Sequence, residues 1–307
     1  MGTPFISFQG PTSLDDYKSG VPSSQQPSTI PKVFKDAMEV REKVFVEEQG
    51  VQLSNEFDSD DARSCHWVIY ASVNTSTQPQ QTDAEGKIIQ RKQSITETVP
   101  IGTIRLVPFP HEPHPEPGSV YTFDATTSSA PKFIIDRPTT FHDGKEPYLK
   151  LGRLAVIPEF RGHKLAGLLV NAAVAWAQQN PTAFNPSVAE VGMDQLGAET
   201  IGDIPVWKGL ICAHAQEQVV KVWERWGFKV DEGMGTWYEE GRSRTPRHYA
   251  IADVTKASSM LGCSKDSSLK INYCRRIIYQ PETIDKLVIH DALVFHVTSV
   301  HVSIRLD

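Results

Sequence analysis

The sequence predicts an α/β (α+β) fold, and three observations carry that reading. Four apolar runs, HWVIYASV, IGTIRLVPF, YLKLGRLAVI and GLICAHA, have the length and flanks of strands. Segments with helically spaced apolar residues precede and separate them. The chain of 307 residues is long enough to bury a sizeable core.

Taken in order, residues 1–30 are rich in Ser, Pro, Gln and Gly and read as a flexible N-terminal segment. In KVFKDAMEVREKVFVEEQG the positions Val33, Phe34, Ala37, Met38, Val40 and Val44 follow helical spacing, and Gly50 ends the segment. HWVIYASV and IGTIRLVPF are strands, and the polar stretch TSTQPQQTDAEGKIIQRKQSITET between them reads as a long excursion. HEPHPEPGS is a proline-rich loop. YLKLGRLAVI is apolar in part on both faces, as a central strand is. The helix after it has a stripe of Leu165, Leu168, Leu169, Ala172, Ala173 and Trp176. After an insertion at 179–207 come the strand GLICAHA and the helix EQVVKVWERW, with Gly227 where a left-handed cap is expected. TWYEEG and RHYAIADV read as a closing pair of strands. Residues 31–254 thus form the main domain. Residues 255–307 are a C-terminal appendage of unknown role, in which VFHVTSVHVSIRL alternates like a strand without an evident partner.

Composition excludes several classes. Lys and Arg total 31 against 37 Asp and Glu, a net charge of −6, which fits poorly with non-specific nucleic-acid binding. No apolar run reaches the roughly 18–20 residues of a membrane span. The start MGTPFISFQGPTSLDD lacks the basic and apolar regions of a secretory signal. Cys65, Cys212, Cys263 and Cys274 are sparse and lack C-x-x-C spacing, so neither a metal site nor a disulfide scaffold is expected. The expected compartment is the cytoplasm, with the nucleus open.

One stretch points to chemistry. In AVIPEFRGHKLAGLLV the residues Arg161, His163 and Lys164 crowd the start of a helix, where the helix dipole disfavours cations. They make sense if an anion binds there, on exposed backbone N–H groups and basic side chains together. The alternative is an ordinary strand–turn–helix with its basic residues in solvent.

This segment resembles the acetyl-CoA-binding motif of the GNAT superfamily of N-acetyltransferases, (Arg or Gln)-x-x-Gly-x-(Gly or Ala). Arg161 and Ala166 match its ends, and Lys164 replaces the middle glycine. The resemblance extends to Val44, Phe45, Val46, Glu48, Gln49, Glu56, Asp58, Asp61 and His66, to IGTIRLVP, and to LICAHAQEQVVKVWERWGFKV, and so covers about 32–254. It implies a mixed, mostly antiparallel sheet flanked by helices and splayed between the family's fourth and fifth strands. It implies acetyl-CoA or CoA as cofactor, held by Leu154, Ala155, Val156, Arg161, Gly162, His163, Lys164, Leu165, Ala166 and Gln216. A primary amine, in a small molecule or a peptide, would attack the thioester directly in a ternary complex. No nucleic-acid or membrane partner is implied, and a homodimer is open.

The family's usual general acid, a tyrosine, is replaced here by Trp223, whose indole N–H donates but does not act as an acid near neutral pH. His214 and Tyr238 are the candidate substitutes; the alternatives are a structural histidine and a packed strand aromatic. Glu48, Glu56, Asp58 and Asp61 form an acidic group that would attract a cationic amine, or else a solvated loop face. His248 matches a position where this branch tends to carry histidine. A non-catalytic acyl-CoA-binding or regulatory module on the same fold is the second reading.

Overall fold

The computed structural model describes residues 4–78, 81–82, 88–90, 93–121, 135–183, 185, 193, 196, 198–204, 206–239, 246–248, 252–253 and 299–305. The strands are β1 (Phe5–Gln9), β2 (Cys65–Gln78), β3 (Gln81–Thr82), β4 (Ile88–Gln90), β5 (Gln93–Val107), β6 (Val120–Tyr121), β7 (Leu149–Val156), β8 (Leu210–Gln216), β9 (Lys229–Val230), β10 (Thr236–Glu239), β11 (Pro246–His248), β12 (Ala252–Asp253) and β13 (Ser299–Arg305). The helices are α1 (Lys32–Arg41), which runs on as a π turn over Glu42–Glu48, then α2 (Leu165–Gln179) and α3 (Val220–Arg225).

The main sheet is mixed and mostly antiparallel, in the order β1-β2-β5-β7-β8-β13-β12, with β9 also on β13. The parallel β7–β8 pairing stops early. Leu149, Lys150 and Leu151 face Ile211, Cys212 and Ala213, and no further pair follows. Beyond Leu151 and Ala213 the two strands part, which is the expected splay. The excursion after HWVIYASV is largely strand among its described residues: β2 and β5 pair antiparallel from Cys65↔Leu106 out to Gln78↔Gln93, with register shifts at Ile69/Tyr70 and Ser76/Gln78.

Alternation sorts the side chains. Leu149 and Leu151 of β7 and Ile211, Ala213 and Ala215 of β8 join the main core with Leu169, Ala173, Trp223 and Phe228. The intervening positions face the other side, where Tyr148, Leu210, Cys212 and Phe141 cluster. In the α2 stripe Leu165, Leu169 and Ala173 are buried, and Ala172 and Trp176 are half-buried, but Leu168 stands exposed. Gly227 has φ +89° and, with Phe228, bonds back onto the last turn of α3 as the cap the sequence predicts.

The expectation of a flexible N-terminal segment is corrected. β1 pairs antiparallel with β2, Phe5 stacking on Tyr70 and Phe8 on Trp176. Leu14 and Ile30 are buried with Phe34 and Met38. The buried Gln26 amide bonds the backbone of Lys18 and Val21. A few apolar anchors and one glutamine order a segment whose average composition is polar. The tail's strand also has its partner: β13 pairs with β8 along its whole length, from Ser299↔Gln216 to Arg305↔Leu210. Residues 254–298 lie outside the described residues.

Candidate functional site

The site is assembled around the fork. Leu154, Ala155 and Val156 lie on the arm of β7 beyond the last β8 pair, Ala155 buried and its neighbours half-buried. The chain then turns through Pro158–Phe160 into α2. Gly162 has φ +83°, and a Cβ built on it meets nothing within 4 Å, so this side of the turn is open. Lys164 is left-handed (φ 60°, ψ 17°), and Leu165 begins the helix. The glycine-like backbone of the resembled motif is therefore kept at a lysine. Relieving that strain by Lys164→Gly is expected to raise stability by about 0.5–1 kcal/mol, read as the denaturant midpoint at unchanged slope.

Arg161, Gly162, His163 and Lys164 are all exposed at the start of α2, Leu165 is buried and Ala166 half-buried. His163 Nδ1–H points at the carbonyls of Phe160 (3.2 Å) and Arg161 (3.0 Å), tightening the turn. Arg161 donates Nε–H to the Val156 carbonyl (2.9 Å) and grips Glu48 with both guanidinium arms (2.8 and 2.5 Å). That hydrogen-bonded pair holds the Glu48 carboxyl below its ordinary range and raises the arginine. Glu48 thus sits against the basic turn, not apart from it as an amine site.

The acidic group divides here. Glu56 (2 % exposed) and Asp58 (5 %) are buried, which corrects the expectation of an acidic surface for a cationic amine. With Asp61 they meet three arginines. Arg41 Nε donates to Glu56 (2.6 Å) and Arg41 Nη1 to Asp61 (2.7 Å). Arg105 Nη1 donates to Asp58 (2.6 Å) and Asp61 (2.7 Å). Arg153 reaches Glu56 (3.0 Å) and Asp58 (2.9 Å). Burial opposes ionisation of Asp61, but the Arg41 and Arg105 guanidiniums outweigh it and hold the carboxyl well below the usual range. His66 is buried beside this network, edge-on to Phe34, and donates Nε2–H to the Asp61 carbonyl (2.9 Å). Burial pushes its pKa down to about 4.

His214 is the first β8 residue past the last β7 pair, so it stands at the mouth of the fork. Its ring meets Trp237 edge-on at 5.0 Å. It lines a cleft of about 250 Å³ together with Tyr148, Lys150, His114 and Glu112. Burial draws Lys150 below the usual lysine range and His114 down to about 2, so that histidine is neutral. Gln216 closes β8, half-buried, and accepts from the Gln218 amide (2.8 Å). Trp223 is 5 % exposed and packed edge-on against Trp226 (5.2 Å) and Phe228 (4.9 Å), in the core. Tyr238 lies on β10 opposite Val120 and Pro246, and His248 on β11 opposite Thr236; their side chains fall outside the described residues.

Sequence reading missed Glu112, His114, Tyr148 and Lys150. A signal was present, in the histidines of HEPHPEPGS and in the Tyr148–Lys150 alternation on β7, but nothing in the sequence says which sheet face the loop covers. Among the described residues no group of three or more His, Cys, Asp or Glu is placed to hold a metal ion. No described helix is long and apolar enough to cross a membrane.

The family model described as Acetyltransferase (GNAT) family matches residues 60–199, the stretch carrying β2, β5, β7 and α2. Residues 60–199 thus match the GNAT acetyltransferase family, whose members are generally acyltransferases, and the match supports membership of that superfamily. Among solved structures it is similar to a putative N-acetyltransferase from Lactobacillus plantarum (18 % identity, TM-score 0.33, over 75 % of this chain and 86 % of that one). It is also similar to Escherichia coli ElaA (13 %, TM-score 0.35, 80 % and 97 %). A third is Arabidopsis thaliana NAA60 in complex with a bisubstrate analogue (11 %, TM-score 0.30, 74 % and 84 %). No curated protein matches the chain.

Proposed function

We propose that the chain is an acetyl-CoA-dependent N-acetyltransferase acting on a primary amine. The observation that carries this reading is the fork: β7 and β8 part after Leu151 and Ala213, and the free arm of β7 runs straight into the open turn at Gly162. The residues present fit the cofactor. The turn amides at 162–165 and the Arg161 guanidinium suit a pyrophosphate at a helix start. The edge of β7 at 154–156 suits a pantetheine arm, which pairs as a strand does. When bound, acetyl-CoA would supply an activated acyl group with a thiolate as leaving group.

The chain's own residues then have three tasks. A backbone amide among 154–156 orients and polarises the thioester carbonyl. The cleft on the Tyr148–Lys150 face holds the amine, near the fork, for attack. His214, at the fork mouth, takes the amine's proton directly or through one water. Trp223 performs none of these, since it is packed in the core. Its burial is the one observation that favours the second reading, a module that binds acyl-CoA without fast transfer.

Calorimetric titration with acetyl-CoA and CoA, run beside a thiol-release assay over a panel of amines, tests the proposal. Binding with amine-dependent release supports the enzyme, binding without release supports the module, and no binding sinks both. The Arg161–Glu48 pair gives a sharper test. Glu48→Gln frees the guanidinium and is expected to tighten CoA binding by up to about fivefold, the worth of an exposed ion pair of ~1 kcal/mol. Arg161→Ala is expected to weaken it about tenfold, the loss of one charge-assisted contact. Equal affinity in both variants would remove Arg161 from the phosphate site.

A further inference from the structure

The arm of β7 is set apart by a bulge. β7 pairs with β5 at Val156↔Gly102 and Ala155↔Thr103, and again at Gly152↔Arg105. Two residues, Arg153 and Leu154, therefore face the single Ile104. The bulge lies just past Leu151, the last residue that pairs with β8. It bends the strand where the two must diverge. Arg153 carries the distortion with φ +50°, a left-handed conformation that L-residues with a Cβ avoid.

A glycine stands next door at 152, yet the left-handed residue is an arginine. A backbone that only needed freedom would have placed it at the glycine. The difference is the side chain. Arg153 reaches Glu56 Oε1 (3.0 Å) and Asp58 Oδ2 (2.9 Å), and those carboxylates are already fixed by Arg41 and Arg105. Three guanidiniums and three carboxylates form one set, buried except for the half-buried Arg153, which alone of the six belongs to β7.

We propose that Glu56 and Asp58 anchor Arg153 in its left-handed conformation and so make it a positioning residue: the ion pairs hold the bulge that presents residues 154–156 to the acyl donor. This rests on the reading of the fork as an acyl-CoA site. It gives the spaced acids of EFDSDD a role in donor geometry from the far side of the strand.

The test uses the full chain with Arg153→Lys and with the pair Arg153→Ala/Asp58→Asn, which keeps the buried charges balanced. Amide hydrogen exchange over residues 150–157 reads the bulge without any ligand. Calorimetry with CoA and steady-state kinetics read the donor site. In the paired variant, exchange at 154–156 is expected to speed up about tenfold while the rest of the sheet is unchanged. CoA is expected to bind about tenfold more weakly, with KM for acetyl-CoA rising more than kcat falls, and Arg153→Lys to recover part of both. A variant with native circular dichroism, unchanged exchange at 154–156 and unchanged CoA affinity overturns the anchor. If the unaltered chain does not bind CoA, the donor-site reading fails and the exchange measurement still decides whether the ion pairs hold the bulge. If the paired variant does not fold, Arg153→Lys, which keeps the charge but not the two-armed grip, decides it on the same readouts.

Discussion

Replacing Arg41 with methionine is expected to destabilise the chain by about 3–5 kcal/mol, the cost of stranding a buried charge. Arg41 is 0 % exposed and sits at the end of α1. Its guanidinium holds Glu56 and Asp61 and also the Glu56 carbonyl. Burial disfavours its charge, but Asp61 and Glu56 reverse the effect and raise it above the usual range. Methionine fills similar volume, so the loss measures charge rather than a cavity. It leaves Asp58, Glu56 and Asp61 against Arg105 and Arg153 alone. Arg41→Met with Asp61→Asn restores the balance and should recover a substantial part of the loss. Urea denaturation of the three proteins checks this. A loss below about 1 kcal/mol for Arg41→Met would mean that the site rehydrates, and that the network is not a dry one.

Lowering the pH from 7.5 to 4.5 is expected to cost about 2.5 kcal/mol through His66 alone. The ordinary histidine pKa is 6.5, and His66 in the fold is at about 4 because burial disfavours the imidazolium. The folded value is the depressed one, so the stabilisation is full above about pH 6.5 and is lost as pH falls towards 4. At pH 4.5 about 2 units of the gap between 6.5 and 4 have been crossed, at ~1.4 kcal/mol each, which sets the size. His111, pushed down to about 3, and His114, at about 2, act in the same direction. Thermal unfolding followed by circular dichroism across that range reads the sum, and His66→Gln should flatten its own share. A midpoint that stays level from pH 7 to 4.5 would show that these rings are hydrated in the native state.

The turn and the fold class could be read from the sequence because their signals are local. Strand runs, the helix stripes and Arg161-Gly162 each lie within a few residues, and the resemblance ordered them. The early segment was misread because averages hide anchors: Leu14, Ile30 and Gln26 are three residues in a polar stretch. The acids were misread for another reason. Charge spacing in EFDSDD is the same on a wet surface and in a dry network; what separates them is Arg41, Arg105 and Arg153, which are distant in sequence and meet only across β2, β5 and β7. The cleft at His214 was half read, one strand residue without the loop that faces it.

The π turn after α1 has a consequence of its own. Over Glu42–Glu48 the helix bonds five residues back instead of four, as in Gln49 N–H to the Val44 carbonyl at 3.2 Å. Such a turn is an α-helix that has taken in one extra residue. Its effect is a phase shift: each residue rotates a helix by about 100°, so everything after the turn faces a direction that a regular helix would not give it. Glu48 owes its place beside Arg161 to that rotation. A regular α-helix over the same residues would swing Glu48 around the axis, leaving the basic turn without its counter-charge while every side chain named in it remained; deleting a single residue between 42 and 46 would let the helix run regular and keep Glu48 in place.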